Sequence, residues 1–309
     1  MTKKILILIE CRESESIAES ALSYARRELG ATVAYYGTDK AAEHLIDGKP
    51  DVVVYWATLN QQRMLSNETL RWIKSRSRLV LWCSESSSPN YAELLDHYRD
   101  EELFDLRVGT DGGNELNYAK GLIDYQTLWP VDPWWYETFD YWDDILDQKI
   151  RRTRIEDPIK DINLGFGGSI GDDRKPLIRS FGNALTVRER KAGNSEEFDR
   201  YGSYAAWLMR CRAVVNDATL DGGYAVKNRV IEAGLAGCCL FEMTGSPLGK
   251  WGLEAGHDFM LFNPDKPEHL LAVTEMHEFP EMAATFGSRL REKVRQFHPS
   301  KFWQRVLNG

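Results

Sequence analysis

The sequence predicts an α/β protein made of two Rossmann-like units. Short apolar strands alternate with amphipathic helices over the first third, and an aromatic-rich stretch at 125–147 breaks that rhythm. A second alternation then begins at "INLGFGGSIG". Alternation of this kind builds a parallel sheet covered by helices on both faces. A length of 309 residues suits two domains of roughly 150 residues each.

Each element of the first unit has a local signal. "KKILILIE" is an apolar run of strand length, and "SIAESALSYARREL" has the period of an amphipathic helix. Ser16 and Glu19 stand in capping-box spacing at its start, and Gly30 is its stop. "ATVAYYG" is a strand, "KAAEHLIDG" a short helix and "DVVVYWA" a strand. A helix over "SNETLRWIKSRS", a strand "RLVLWCS", a helix over "YAELLDHYRD" and a last strand "LFDLRVGT" complete the unit.

Residues 125–147, "YQTLWPVDPWWYETFDYWDDILD", hold four tryptophans and two prolines. They fit neither period and are read as a connection between the units. The second unit then runs through a strand and glycine-rich turn in "INLGFGGSIG" and a helix from about Asp173. A strand "ALTVRER", a helix "YGSYAAWLMRC" and a strand "AVVNDAT" come next. The helix of "NRVIEAGLAG", strands "CCLFEM" and "FMLF", and helices over "PDKPEHLLAVTEM", "REKVRQF" and "KFWQRVL" close the chain. Ligands of such sheets bind beyond the carboxyl ends of the strands. Two such units are expected to face each other across a cleft.

Composition narrows the partners. A hydrophobic share of 43% with 28% charged residues is that of a globular protein. No apolar run reaches the roughly 18 residues of a membrane span. "MTKKILILIE" is too short and too soon acidic for a secretory signal, so a cytoplasmic location is expected. The five cysteines are scattered without a CxxC pair and the six histidines lack ligand spacing, so no metal site is expected. A net charge of −8 opposes a broad grip on nucleic acid. Two basic stretches remain, "RWIKSRSR" and "KIRRTR", as solvated faces or as local anion sites.

The stretch "GGYAVKNRVIEAGLAG" carries the sharpest chemical signal. Lys227 and Arg229 begin a helix whose N-terminus already favours anions. Cations there make sense when an anion such as a diphosphate sits between them. Asn228 lies between the two, and Glu232 follows Arg229 by three residues on the same helical side. The plainer reading is a surface Arg229–Glu232 ion pair, worth only tenths of a kcal/mol. "GFGGSIGDDR" is a second phosphate candidate: Gly167, Gly168 and Gly171 admit close backbone approach, Ser169 offers a donor, and Arg174 stands in the first turn. A simple tight βα turn is the alternative.

From these residues a resemblance follows. "FGGSIGDDR", "NRVIEAGLAG", "GHDFMLFNPDKPEHLLAV" and "WPVDP" together resemble the donor-binding half of GT-B glycosyltransferases, in particular the CgeB-like group, over about residues 128–307. The resemblance implies a GT-B architecture in which a final helix crosses back onto the first domain. Expected boundaries are 1–128 for the acceptor-side domain and 129–159 for the connection, then 160–290 for the donor domain and 291–309 for the returning helix. It implies a nucleotide-diphosphate sugar as substrate, a UDP-sugar foremost, with no obligatory cofactor or metal. Arg229 and Lys227 would hold the diphosphate, Glu232 the ribose, and Gly168 and Ser169 the phosphate loop. Tyr224 stands eight residues before Glu232, where many retaining members carry glutamate. Retention and inversion therefore both stay open.

An inverting enzyme needs a general base from the first domain. Carboxylates at the strand ends are Glu10, Glu13, Glu85 and Asp111; Asp111 lies in "GTDGG" and Glu85 follows "LVLWCS". Solvent-facing or loop-capping roles are the alternative for each. Trp129, Trp134, Trp135, Tyr136 and Trp142 can stack on a sugar or base, or pack between domains. The acceptor that the resemblance implies is a hydroxyl of a protein, a glycan or a hydroxymethylated DNA base. For DNA, Arg71, Lys74 and Arg78 are expected on one helical face, with Lys149, Arg151, Arg152 and Arg154 beside the connection. A sugar-nucleotide epimerase and a non-catalytic nucleotide-sugar binding protein are the rival functions.

Overall fold

The structure, a computed structural model, describes the chain apart from residues 1–2, 11, 58–64, 85–90, 113–119, 138, 144–147, 153–159, 169, 173, 190–200, 218 and 221–222. For 12–17, 57, 139–143, 148–152, 219–220 and 223–224 it describes the backbone alone. The chain forms two compact units. Met1–Asp132, Thr219–Ala225 and Phe297–Gly309 make the first, and Pro133–Ala218 with Val226–Gln296 the second.

In the first unit β1 (Ile5–Ile9), β2 (Thr32–Tyr35), β3 (Val52–Ala57), β4 (Arg78–Cys83), β5 (Leu106–Gly109) and β6 (Tyr125–Gln126) form a sheet in the order β2-β1-β3-β4-β5-β6. Every pairing is parallel. Helices α1 (Arg12–Leu29), α2 (Asp39–Ile46), α3 (Asn67–Lys74) and α4 (Ala92–Asp100) follow the first four strands in chain order. Strands of unbroken Ile, Leu and Val fit because both faces of the central strands are buried.

Two expectations change. Helix α1 begins at Arg12, so Ser16 and Glu19 are interior residues and not its cap. Packing of its apolar face decides where such a helix starts, over a local cap signal. Gly30 does end it, with φ +64. The stretch 125–147 is more than a connection: Tyr125 and Gln126 pair in parallel with Val108 and Gly109. A strand of two residues is too short to show a period.

The second unit repeats the topology. After α5 (Trp134–Glu137) and an antiparallel ribbon of β7 (Phe139–Asp143) and β8 (Gln148–Arg152) comes β9 (Ile162–Gly168). Then follow α6 (Lys175–Phe181), β10 (Thr186–Glu189), α7 (Tyr201–Arg210) and β11 (Cys211–Asn216). A two-stranded ribbon of β12 (Thr219–Leu220) and β13 (Gly223–Tyr224) counts with the first unit. Then come α8 (Asn228–Leu235), β14 (Cys239–Met243), β15 (Met260–Phe262), α9 (Pro267–Glu275) and α10 (Pro280–Val294). The sheet order β10-β9-β11-β14-β15 matches the first five strands of the other sheet. In both, the order reverses beside the first strand, the switch point where ligands of open α/β sheets bind. The ribbons β7–β8 and β12–β13 were not expected; their strands carry no clean alternation.

The last helix, α11 (Pro299–Asn308), belongs to the first unit. Its Phe302 and Trp303 are buried against Trp82, in a ring cluster with Trp56 and Trp129. The indole of Trp129 donates to Ser20 Oγ at 2.9 Å, and buried Asp132 accepts from Ser23 and Arg27 at 3.0 Å each. "WPVDP" is thereby clamped to α1. Among the described residues no helix is long and apolar enough to cross a membrane.

Candidate functional site

The carboxyl edge of the second sheet gathers the chemistry. Gly168 ends β9, Asn216 ends β11 with Asp217 next, Glu242 lies near the end of β14, and α8 starts at Asn228. Two glycines of "LGFGGS" owe their presence to packing. A Cβ on Gly165 would lie 2.7 Å from Cys211 Sγ, and one on Gly167 would lie 2.5 Å from the Tyr204 ring. They let α7 settle onto β9. Gly168 differs: its φ is +144, and its missing Cβ leaves 3.1 Å to Arg229 Nη2.

Arg229 is 6% exposed. Its guanidinium carbon lies 4.6 Å above the Phe166 ring, and Nη1 has no hydrogen-bond partner among the described residues. Burial holds its pKa below the usual arginine value. The Asp217 and Glu232 carboxylates offset that burial in part, and Nη1 remains without a hydrogen bond among the described residues. Of the first N–H groups of α8, that of Arg229 donates to Asn228 Oδ1 and that of Val230 to Lys227 O, each at 3.1 Å. Lys227 occupies the N-cap in extended conformation without capping by its side chain, and is half-buried.

Glu232 is 1% exposed and sits in a cradle of donors. Tyr201 donates at 3.0 Å and Asn228 at 3.1 Å to Oε1, and Tyr204 donates at 3.2 Å to Oε2. The Tyr136 and Tyr201 hydroxyls meet at 2.8 Å. Burial, and then Glu232 itself, push both phenols far up, so they remain neutral donors. Burial of both Arg229 and Glu232 rules out the surface ion pair. Arg174 Nε donates to Asp217 at 2.6 Å, so its charge is partly matched.

Not every residue singled out in the sequence joins this group. Glu85, Ser169 and Arg154 lie outside the described residues, and Glu13 is placed only as backbone of α1. Asp111 is 4% exposed just past β5 in the first unit, bridged through its backbone to Leu128. Arg71, Lys74 and Arg78 do not share a helical face. Arg78 opens β4, Arg71 pairs with Glu101, and Lys74 donates to Glu102 O at 2.5 Å with Asp105 3.7 Å away. Lys74 and Arg78 flank the amino edge of that sheet, the end away from the switch-point crevice. The tryptophans divide. Trp129 is core of the first unit, whereas Trp134 stacks edge-on to Trp135, whose ring lies 5.3 Å from Tyr201. The side chains of Trp142, Lys149, Arg151 and Arg152 are not described.

Tyr201, Tyr204, Asp217 and Glu242 went unnoticed in the sequence. The spacing of Tyr201 and Tyr204 by three on one helix was the available signal for the first two. Asp217 and Glu242 become visible only once β11 and β14 lie side by side.

No known family and no curated protein matches the chain by sequence. Solved structures do match in three dimensions. An α-glucosyltransferase in complex with UDP and a 13-mer DNA superposes with TM-score 0.62 at 12% identity, over 98% of this chain and 99% of that one. Anabaena HepE in complex with UDP-glucose gives 0.59 at 13% identity, over 98% of each. Sucrose-phosphate synthase of Thermosynechococcus elongatus gives 0.58 at 11%, over 99% and 96%. The fold is GT-B. At these identities the likeness is one of fold, and a CgeB-like grouping is not distinguished from other GT-B proteins.

Proposed function

We propose that this GT-B chain transfers a glycosyl group from a nucleotide-diphosphate sugar, a UDP-sugar foremost, to a hydroxyl acceptor. The observation that carries the reading is Arg229, a buried guanidinium with an orphaned N–H at the start of α8, against the glycine end of β9. A diphosphate there would accept the orphaned N–H in a charge-assisted hydrogen bond. Neighbours of the same fold solved with UDP or UDP-glucose support the donor class.

In this reading Arg229 and Lys227 hold the diphosphate at the positive end of the α8 dipole. Gly168 and Ser169 line its loop, and Arg174 reaches the same anion. Asn228 donates to Glu232 and orients it, and Glu232 takes a ribose hydroxyl. The bond from the anomeric carbon to the diphosphate breaks as the acceptor oxygen bonds to that carbon. The nucleoside diphosphate leaves with the electron pair, and Arg229 and the α8 dipole stabilise its charge. The acceptor proton passes to a base; for an inverting reaction Asp111, or else Glu85, is the proposed one.

The test incubates the protein with labelled UDP-glucose and three acceptor classes: small polyols and glycans, peptides, and hydroxymethylated DNA. DNA is included because a neighbour of this fold is seen with UDP and DNA. Release of UDP with label on an acceptor supports transfer. An isomerised nucleotide sugar without UDP release would make the protein an epimerase, and binding without turnover a binding protein.

A further inference from the structure

The rings of α5 and α7 form a continuous aromatic seam within the second unit. Trp134 meets Trp135 edge-on with centroids 4.9 Å apart, and Trp135 meets Tyr201 edge-on at 5.3 Å. Tyr201 and Tyr204 follow at 5.8 Å, and Tyr204 stacks on Trp207 at 6.0 Å. The inner tyrosines are dry, at 0% and 1% exposure, whereas Trp134 and Trp135 are only half-buried. Two successive indoles at the wetter end of such a seam are flat, polarisable rings of the kind on which nucleobases stack.

The seam is anchored at Glu232, the carboxylate proposed to take the ribose. Tyr201 and Tyr204 donate to it at 3.0 and 3.2 Å. Three residues earlier on α8 stands Arg229, with Gly168 so near that a Cβ there would lie 3.1 Å from Nη2. The contacts therefore run from Gly168 and Arg229 through Glu232 and Tyr201 to Trp135. A nucleoside diphosphate has the same order of parts: diphosphate, ribose, base. Its base is borne on the ribose carbon next to the one carrying the 2′-hydroxyl, so it lies close to whatever group holds that sugar. Trp135 stands one ring beyond that group. An acceptor has to meet the anomeric carbon, at the opposite end of the diphosphate, so these indoles are on the wrong side for it.

We infer that the Trp134–Trp135 pair is the nucleobase subsite of the donor, with the base stacked on Trp135 and Trp134 bracing that indole edge-on. The inference rests on Glu232 being the ribose contact. Stacking uses the π face that every base has, and loss of such a ring weakens binding by roughly ten- to a hundredfold.

The experiment is calorimetry with two probes, UDP and ribose 5-diphosphate, which keeps the diphosphate and the ribose and has no base. The chains compared are wild type, Trp135→Ala, Trp135→Leu and Trp135→Phe, each shown to be folded by circular dichroism. Leucine keeps an apolar side chain against Tyr201 without a ring, so packing is retained if the alanine variant unfolds. The wild type is expected to prefer UDP over ribose 5-diphosphate by roughly ten- to a hundredfold. That preference is expected to vanish in Trp135→Leu and Trp135→Ala, with ribose 5-diphosphate binding unchanged, and to be largely kept in Trp135→Phe. No preference in the wild type, or one that survives in Trp135→Leu, overturns the inference. Equal weakening of both probes also overturns it, because a merely structural ring would act on both alike. Failure of UDP, ADP and GDP to bind the wild type overturns the donor-site reading itself, an outcome distinct from binding without a contribution from the base.

Discussion

Gly168 and Arg229 meet where β9 ends and α8 begins: a Cβ added to Gly168 would stand 3.1 Å from Arg229 Nη2. The backbone of Gly168, at φ +144, is one that side-chain-bearing residues rarely adopt. Gly168→Ala therefore meets strain of about 1–3 kcal/mol and a methyl against the guanidinium. The expected result is a stability loss of that size in urea unfolding and donor affinity lower by roughly tenfold. An alanine variant with unchanged stability and affinity would refute this geometry.

Helix α10 of the second unit also has a close-packed glycine. A Cβ on Gly287 of α10 would lie 2.4 Å from the backbone oxygen of Gly237, and one on Gly234 of α8 would lie 2.7 Å from a Val294 methyl. A backbone carbonyl cannot turn aside as a valine can. Gly287→Ala should cost about 1–3 kcal/mol or more, and Gly234→Ala less. Urea midpoints in the reverse order would contradict the packing described.

The stretch "NRVIEAGLAG" shows how far the sequence reaches. Helical spacing alone put Arg229 and Glu232 on one side, and the glycine and alanine positions marked a close-packed helix. Whether that side was wet or dry could not be read, because the tyrosines that bury Glu232 lie 28 and 31 residues earlier in the chain. The strands were legible wherever five or six apolar residues ran together, as in β1, β3 and β4. The two-residue strands β6, β12 and β13 had no pattern to show. Arg78 was misplaced because "RWIKSRSR" continues a helical charge spacing past Lys74, where α3 in fact ends.

The tyrosine cradle gives a third prediction. Tyr204→Phe removes one donor from a buried carboxylate while keeping the ring that Gly167 accommodates. A hydrogen bond to a charged group contributes about 1.5–3 kcal/mol, and stability should fall by that order. Tyr201→Phe also strands the Tyr136 hydroxyl. The double variant should cost less than the two single losses together, since all act on one carboxylate. Strict additivity in denaturant titrations would show that the hydroxyls act independently. A raised KM for donor, with kcat changed little, is the kinetic counterpart.

The central claim is that Arg229 binds the departing diphosphate, and the most direct measurement compares donor turnover by the wild-type chain and Arg229→Ala. Circular dichroism first confirms that the variant is folded, as expected once a buried charge is removed. Loss of one preorganised contact to developing charge lowers turnover by about 10²–10³-fold, and that fall is predicted at saturating donor, together with weaker donor binding. Wild-type kinetics in folded Arg229→Ala, at both saturating and limiting donor, would contradict the account.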